Sequence, residues 1–202
     1  MSEQKNKDEV VRKIPAELID DPAIGMRSEV DRDKLWELAD DIKKNGLINP
    51  PTVRPKGERY EVIAGHRRFQ ACRMVGLLRI PCVVREVSDE AAFGIMASEN
   101  LVREDVDPVD EAVFIEALIT KTKKNTQEVA AMIRRSVGYV EDRLVVAKMP
   151  DYMRQYLKTK QLKLGAALAL VQIDNDNLRR TWVELAVRDG ASVRQAEYWL
   201  YQ

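Results

Sequence analysis

The chain has 202 residues, 45% of them apolar, and its 33 Lys/Arg are balanced by 33 Asp/Glu for a formal net charge of zero. That length suits two modest domains better than one large core. No apolar run approaches the roughly 18 residues that a bilayer span needs, and no secretory signal is visible, so a cytoplasmic chain without a membrane partner is predicted. Cys72 and Cys82 are too few for a disulfide framework or a metal cluster, and they read as core thiols.

In chain order, residues 1–13 are polar and charged, with little to bury, and predict a flexible tail. Residues 14–104 then alternate strand and helix patterns and predict a small α/β domain. Leu35, Leu38, Ala39 and Ile42 share one helical face over residues 33–45, and Gly46 supplies a C-terminal stop. Strands at residues 51–54 and 60–64 flank a turn at Pro55-Lys56-Gly57. A helix from about Arg67 to near Gly76 follows, then a strand over residues 80–87 and a helix over residues 88–102. Asp107-Pro108 opens the next helix, with aspartate as cap and proline in the first turn. Residues 103–108 are the predicted hinge, and residues 105–202 read as an all-α domain. In its last part Leu178, Trp182, Leu185, Trp199 and Leu200 are expected in the core.

Within the all-α part, Thr126 is predicted to cap a helix with Val129, Ala130 and Ile133 inward. After a bend at Arg134-Arg135, Ser136 caps a second helix with Val137, Val140 and Leu144 inward. Small Ala130 lets the two helices approach, and its spacing to Val140 matches a DNA-reading helix-turn-helix. Arg134 stands at the turn position where glycine is usual, at a cost of roughly 1 kcal/mol for a left-handed backbone. Residues 121–163 carry eleven Lys/Arg against four Asp/Glu, a local net of +7, whereas residues 105–116 hold five acids and no base. Local sign sets phosphate attraction on the scale of the Debye length, so zero total charge does not exclude nucleic acid. The candidate DNA contacts are Thr126, Arg134, Arg135, Ser136, Tyr139, Arg143 and Lys148. An ordinary helical hairpin with a solvated surface is the bland alternative.

The stretch from Val62 to Cys72 takes an apolar strand through Gly65 into a helix headed by Arg67 and Arg68. Such a junction offers free N–H groups and the positive end of the helix dipole to an anion. Glu99, Asn100 and Arg103 crowd together at the end of a later helix and add hard oxygen ligands and a further cation. The two stretches resemble the nucleotide-binding boxes of ParB-like partition proteins, usually Gly-Glu-Arg-Arg and Glu-Asn-(two residues)-Arg. The resemblance runs from about Ile14 to Leu200 and includes Met149-Pro150-Asp151, the Lys160 to Leu170 stretch and Ser192-Val193-Arg194-Gln195.

That resemblance implies an α+β protein: a ParB/sulfiredoxin-like N-terminal domain followed by a helix-turn-helix domain, of the plasmid or phage type. It implies CTP with Mg2+ as ligands. Gly65, His66, Arg67 and Arg68 would hold phosphates. Glu99, Asn100 and Arg103 would complete the phosphate and metal shell, Glu99 and Asn100 as metal ligands. Gly25, Met26 and Arg27 correspond to the first box, although its usual wording is absent. By resemblance the partners are a palindromic, centromere-like DNA site, a second copy joined in a nucleotide-dependent clamp, and a ParA-type ATPase. Family members usually continue into a small dimerisation domain, for which this chain has no counterpart. His66 stands where chromosomal members carry a hydrolysis-linked glutamate, so slow CTP hydrolysis is left open. Val137 stands where an arginine is common, which implies a different DNA site from the widespread chromosomal one. A site-specific repressor that never forms a clamp is the rival reading. Sulfiredoxin chemistry lacks its cysteine, since Gly65 precedes His66, and no metal cluster suggests a nuclease.

Overall fold

The computed structural model describes residues 10–24, 32–101 and 107–200. The chain divides into two units, residues 1–103 and 104–202. Unit 1 is built on five strands: β1 (Val10–Pro15), β2 (Ile19–Asp20), β3 (Thr52–Lys56), β4 (Arg59–Ala64) and β5 (Arg79–Val84). They lie in the order β1-β5-β3-β4-β2, with β1/β5 and β3/β4 antiparallel and β3/β5 and β2/β4 parallel. The helices are α1 (Arg32–Asn45), α2 (His66–Met74) and α3 (Asp89–Leu101).

One face of the sheet presents Ile14, Val53, Val62, Ile80, Cys82 and Val84 to Leu35, Ala39 and Ile42 of α1 and Phe69 and Cys72 of α2. Strand alternation turns Arg54, Glu61 and Ile63 to the opposite face. There Arg54 and Glu61 form an ion pair at 2.6 Å, with only 4% and 2% of each residue exposed. Lys56 shares the Glu61 carboxylate at 3.1 Å, and the free end of Arg54 reaches Asp89, in the first turn of α3, at 2.5 Å. Two charges taken out of water persist only when paired and hydrogen-bonded, as these are. The pair therefore anchors the start of α3.

Three details differ from the sequence reading. Val10 to Lys13, assigned above to the tail, are the first residues of β1 and pair with Val84 to Pro81. Their charges suit an edge strand, whose outer side needs no apolar cover. The hairpin turn falls at Gly57-Glu58, so Pro55 and Lys56 belong to β3. Finally, β5 stops at Val84.

Unit 2 is helical: α4 (Pro108–Thr122), α5 (Thr126–Ile133), α6 (Val137–Lys148), α7 (Asp151–Lys158), α8 (Leu164–Leu170), α9 (Asp176–Asp189) and α10 (Val193–Leu200). Asp107 caps α4 by accepting from the N–H groups of Val109 and Asp110 at 2.9 and 3.0 Å. Residues 103–106 of the predicted hinge lie outside the described residues. A core of Val109, Ala112, Val146, Met153, Leu157, Leu170, Val183 and Trp199 joins α4 and α6 to the later helices. Trp182 stacks on Trp199 with ring centroids 4.9 Å apart. Leu178, expected in the core, is 44% exposed. Among the described residues no helix is long and apolar enough to cross a membrane.

Candidate functional site

Gly65 caps α2 in a left-handed conformation, φ +79° and ψ 32°, and with no side chain it leaves the helix N-terminus uncapped. Only glycine takes that backbone without strain. The Gly65 N–H donates to Glu99 Oε2 at 2.8 Å, so a carboxylate from the far end of α3 already sits where the helix dipole favours an anion. Arg68 lies against the same turn. Its Nη1 donates to the carbonyls of Asn49 and Pro50 at 2.8 and 3.2 Å. A Cβ at Gly65 would meet Arg68 Nη2 at 2.7 Å.

The turn opens onto a cleft of about 660 Å³ lined by Gly65, Arg67, Arg68 and Glu99, together with Lys34, Glu37, Leu38 and Asp41 of α1. That volume is in the range of small-molecule sites. Arg67 Nε is buried there without a protein hydrogen-bond partner, which is unusual for so strong a donor. The lining holds three cations and three carboxylates. Sequence reasoning found the α2 and α3 residues but missed α1, because its polar face reads only as solvent-facing until the fold sets it beside the glycine turn.

His66 is not among the residues lining the cleft. Its Nε2 lies 2.9 Å from Asp21 Oδ1, and Arg73 approaches the same carboxylate at 3.8 Å. Asn100 is half-buried beside Glu99 on α3. Gly25, Met26, Arg27 and Arg103 lie outside the described residues. Burial raises the pKa of Cys72 and pushes that of Cys82 up to about 12, which leaves neither thiol as a nucleophile.

In unit 2, α5 and α6 are joined by Arg134, Arg135 and Ser136. Asn125, not Thr126, caps α5: its side chain accepts from Glu128 N, and the Glu128 carboxylate accepts from Asn125 N, both at 2.9 Å. Thr126 is the first residue inside the helix. The signal was present, because Glu128 lies three positions after Asn125 as a capping box requires. Arg134 takes the left-handed conformation at φ +55°, and the Arg135 N–H closes the turn on Ala130 O at 3.0 Å. Ser136 caps α6 by accepting from Tyr139 N at 3.1 Å. Arg134, Arg135, Ser136 and Lys148 are exposed.

Tyr139 and Arg143 are placed differently from the expected outer face. Arg143 is only 12% exposed and donates from Nε and Nη2 to Glu111 of α4, each at 2.7 Å. Its guanidinium sits 4.1 Å from the Tyr139 ring centroid, and that of Arg135 sits 5.3 Å away. Burial, with Glu111 beside it, pushes the Tyr139 hydroxyl up to about 12. Val137, expected inward, is 37% exposed, whereas Val140 is fully buried.

A glycine turn backed by arginines and a separate helix-turn-helix can be compared with known proteins. Residues 1–101 match the ParB N-terminal domain, and residues 104–202 match the ParB HTH domain. The chain belongs to the ParB family. It is 37% identical over 185 residues to the probable chromosome-partitioning protein ParB of Pseudomonas putida, covering 91% of this chain and 63% of that protein. It is 36% identical over 172 residues to the chromosome-partitioning protein Spo0J of Thermus thermophilus, covering 85% and 63%. The chain thus spans less than two thirds of the length of these ParB relatives.

Among solved structures it is similar to the C-terminally truncated ParB of Caulobacter crescentus complexed to the centromeric parS site. The TM-score is 0.62 at 28% identity, covering 93% of this chain and 97% of that one. A Pnob8-like ParB-N domain matches with a TM-score of 0.57 at 13% identity, over 87% and 89% of the chains, a likeness of fold alone. Against the usual ParB box, this chain keeps Gly65, Arg67 and Arg68 and replaces the intervening glutamate by His66.

Proposed function

We propose that this ParB-family chain binds CTP at the Gly65 turn and a specific DNA site through α5 and α6, and that nucleotide drives two copies into a clamp. The observation that carries the reading is the Gly65 N–H, at a helix start whose cap residue has no side chain of its own, occupied by the exchangeable carboxylate of Glu99. A phosphate is the natural replacement, because the same N–H groups and dipole favour it and the buried Arg67 Nε awaits an acceptor. Arg68 adds its remaining donors from the flank of the turn. Displaced from Gly65, Glu99 becomes available with Asn100 as a pair of oxygen ligands.

The balanced charge of the cleft is poorly matched to a triphosphate alone, and Mg2+ would supply the missing positive charge. Among the described residues no group of three or more His, Cys, Asp or Glu could hold a metal by itself. Glu99 and Asn100 therefore fit a site completed by phosphate oxygens and water, as Mg2+ commonly has. His66, held by Asp21 and outside the cleft lining, favours a binding site over rapid hydrolysis. Nucleotide shifts the open–closed equilibrium only by binding the closed state more tightly. Loss of the Glu99–Gly65 bond, which holds the end of α3 to the turn, supplies that difference. Dimer formation and a ParA-type partner follow the family resemblance.

Calorimetric titration of the four ribonucleoside triphosphates with Mg2+ tests the site. CTP should bind the parent chain. Arg68→Ala should lose that binding by roughly ten-fold or more, the size of a lost charge-assisted hydrogen bond. Equal CTP affinity for the two proteins would defeat the assignment.

A further inference from the structure

The outward stripe of α6 is Val137, Glu141, Val145 and Lys148, spaced four, four and three residues apart so that they share one helical face. Val137 and Val145 are 37% and 39% exposed. Gly138 lies beside Val137, and a Cβ there would meet nothing within 4 Å, so the backbone is open to close approach. The one arginine within α6 is absent from this stripe, because Glu111 and the Tyr139 ring hold Arg143 back against α4. Lys148 stands in the last turn. The N-terminal half of the stripe, which in a helix-turn-helix meets base edges, offers methyl groups and one carboxylate and no cation.

Those groups select among bases. Guanine presents only acceptors in the major groove and calls for donors. The thymine C5 methyl is matched by an apolar side chain, and the cytosine amino group by a carboxylate. Accepting that α6 is the DNA-reading helix, we propose that it reads a thymine methyl with Val137 and a cytosine amino group with Glu141. Glu111 acts as the positioning residue that keeps Arg143 out of the groove. Arg134, Arg135 and Ser136, at the entry to the helix, serve the phosphate backbone.

The test uses the full chain and a duplex pool randomised over about two helical turns. After selection, each thymine of the winning duplex is replaced singly by deoxyuridine, which removes only the C5 methyl. At least one thymine per half-site should show a three- to five-fold loss of affinity, the value of about one buried methyl group. Val137→Ala should lose a similar factor on the parent duplex and become indifferent to that uracil. Alanine at an exposed helical position keeps the fold, so this arm stays readable. Glu141→Gln should move the preference at one position away from cytosine. Glu111→Gln should release Arg143 and add tolerance for guanine.

Specific binding that is indifferent to uracil at every thymine would overturn the proposal while leaving the DNA-reading role of α6 intact. An equal uracil penalty in parent and Val137→Ala would overturn it too. A pool that yields no preferred sequence, with no salt-dependent binding, would remove the DNA-reading assignment and this inference together.

Discussion

The N-termini of α2 and α6 make an instructive pair. At α2 the cap is Gly65, which offers no side chain, and the first N–H is filled by Glu99 from another element. At α6 the cap is Ser136, whose hydroxyl satisfies the Tyr139 N–H locally. The first arrangement is exchangeable, because a carboxylate brought from 34 residues away can yield to another anion. The second is closed, so α6 spends its own cap on stability and leaves recognition to side chains. A helix start becomes a ligand site when its own residues decline to cap it.

The largest effect is expected where α3, which carries Glu99 to the turn, is anchored. Glu61→Ala leaves buried Arg54 with exposed Asp89 in place of its buried carboxylate partner and should cost about 3–5 kcal/mol of stability in unit 1, measured by denaturant unfolding. A smaller loss would mean that α3 is held mainly by its apolar face. Next, Gly65→Ala forces a strained backbone and pushes on Arg68. Nucleotide affinity should fall roughly fifty-fold, from about 1–2 kcal/mol of strain together with weakened hydrogen bonds. DNA affinity without nucleotide should stay within about two-fold of the parent, since unit 2 keeps its charges. Ser136→Ala should instead cost about 1 kcal/mol of stability in unit 2 and leave nucleotide affinity unchanged.

The smallest effect concerns Asp110, buried in the first turn of α4 at 3.4 Å from Lys158. Burial, more than Asp107 beside it, raises its pKa above the ordinary 3.8, with Lys158 opposing. The native state therefore binds the proton more tightly than the unfolded chain does, and this group's contribution to stability falls as pH rises through and above 3.8. Asp110→Asn should raise the unfolding midpoint at neutral pH, with the gain vanishing below pH 3.8. A gain independent of pH would assign the effect to packing instead.

The turn at Gly65 was legible because its signal is local: apolar strand, glycine, paired arginines. So was the Asp107-Pro108 helix start. The helix-turn-helix could be read from Ala130, Val140 and Ser136. What was not legible depends on distant residues. Nothing near Arg143 announces that Glu111, 32 residues earlier, removes it from the outer face. The polar residues of α1 look like ordinary solvent contacts until the fold places them across from α2. β1 was hidden by its charges, since edge strands tolerate lysine and arginine that a buried strand would not.

The central claim concerns one backbone amide. With glycine labelled in 15N, the Gly65 resonance can be followed as CTP and Mg2+ are added, and identified by its loss in Gly65→Ala. The account predicts that it shifts strongly, with a midpoint equal to the calorimetric one, as a phosphate replaces the Glu99 carboxylate. Saturation of CTP binding with the Gly65 amide unmoved would contradict it.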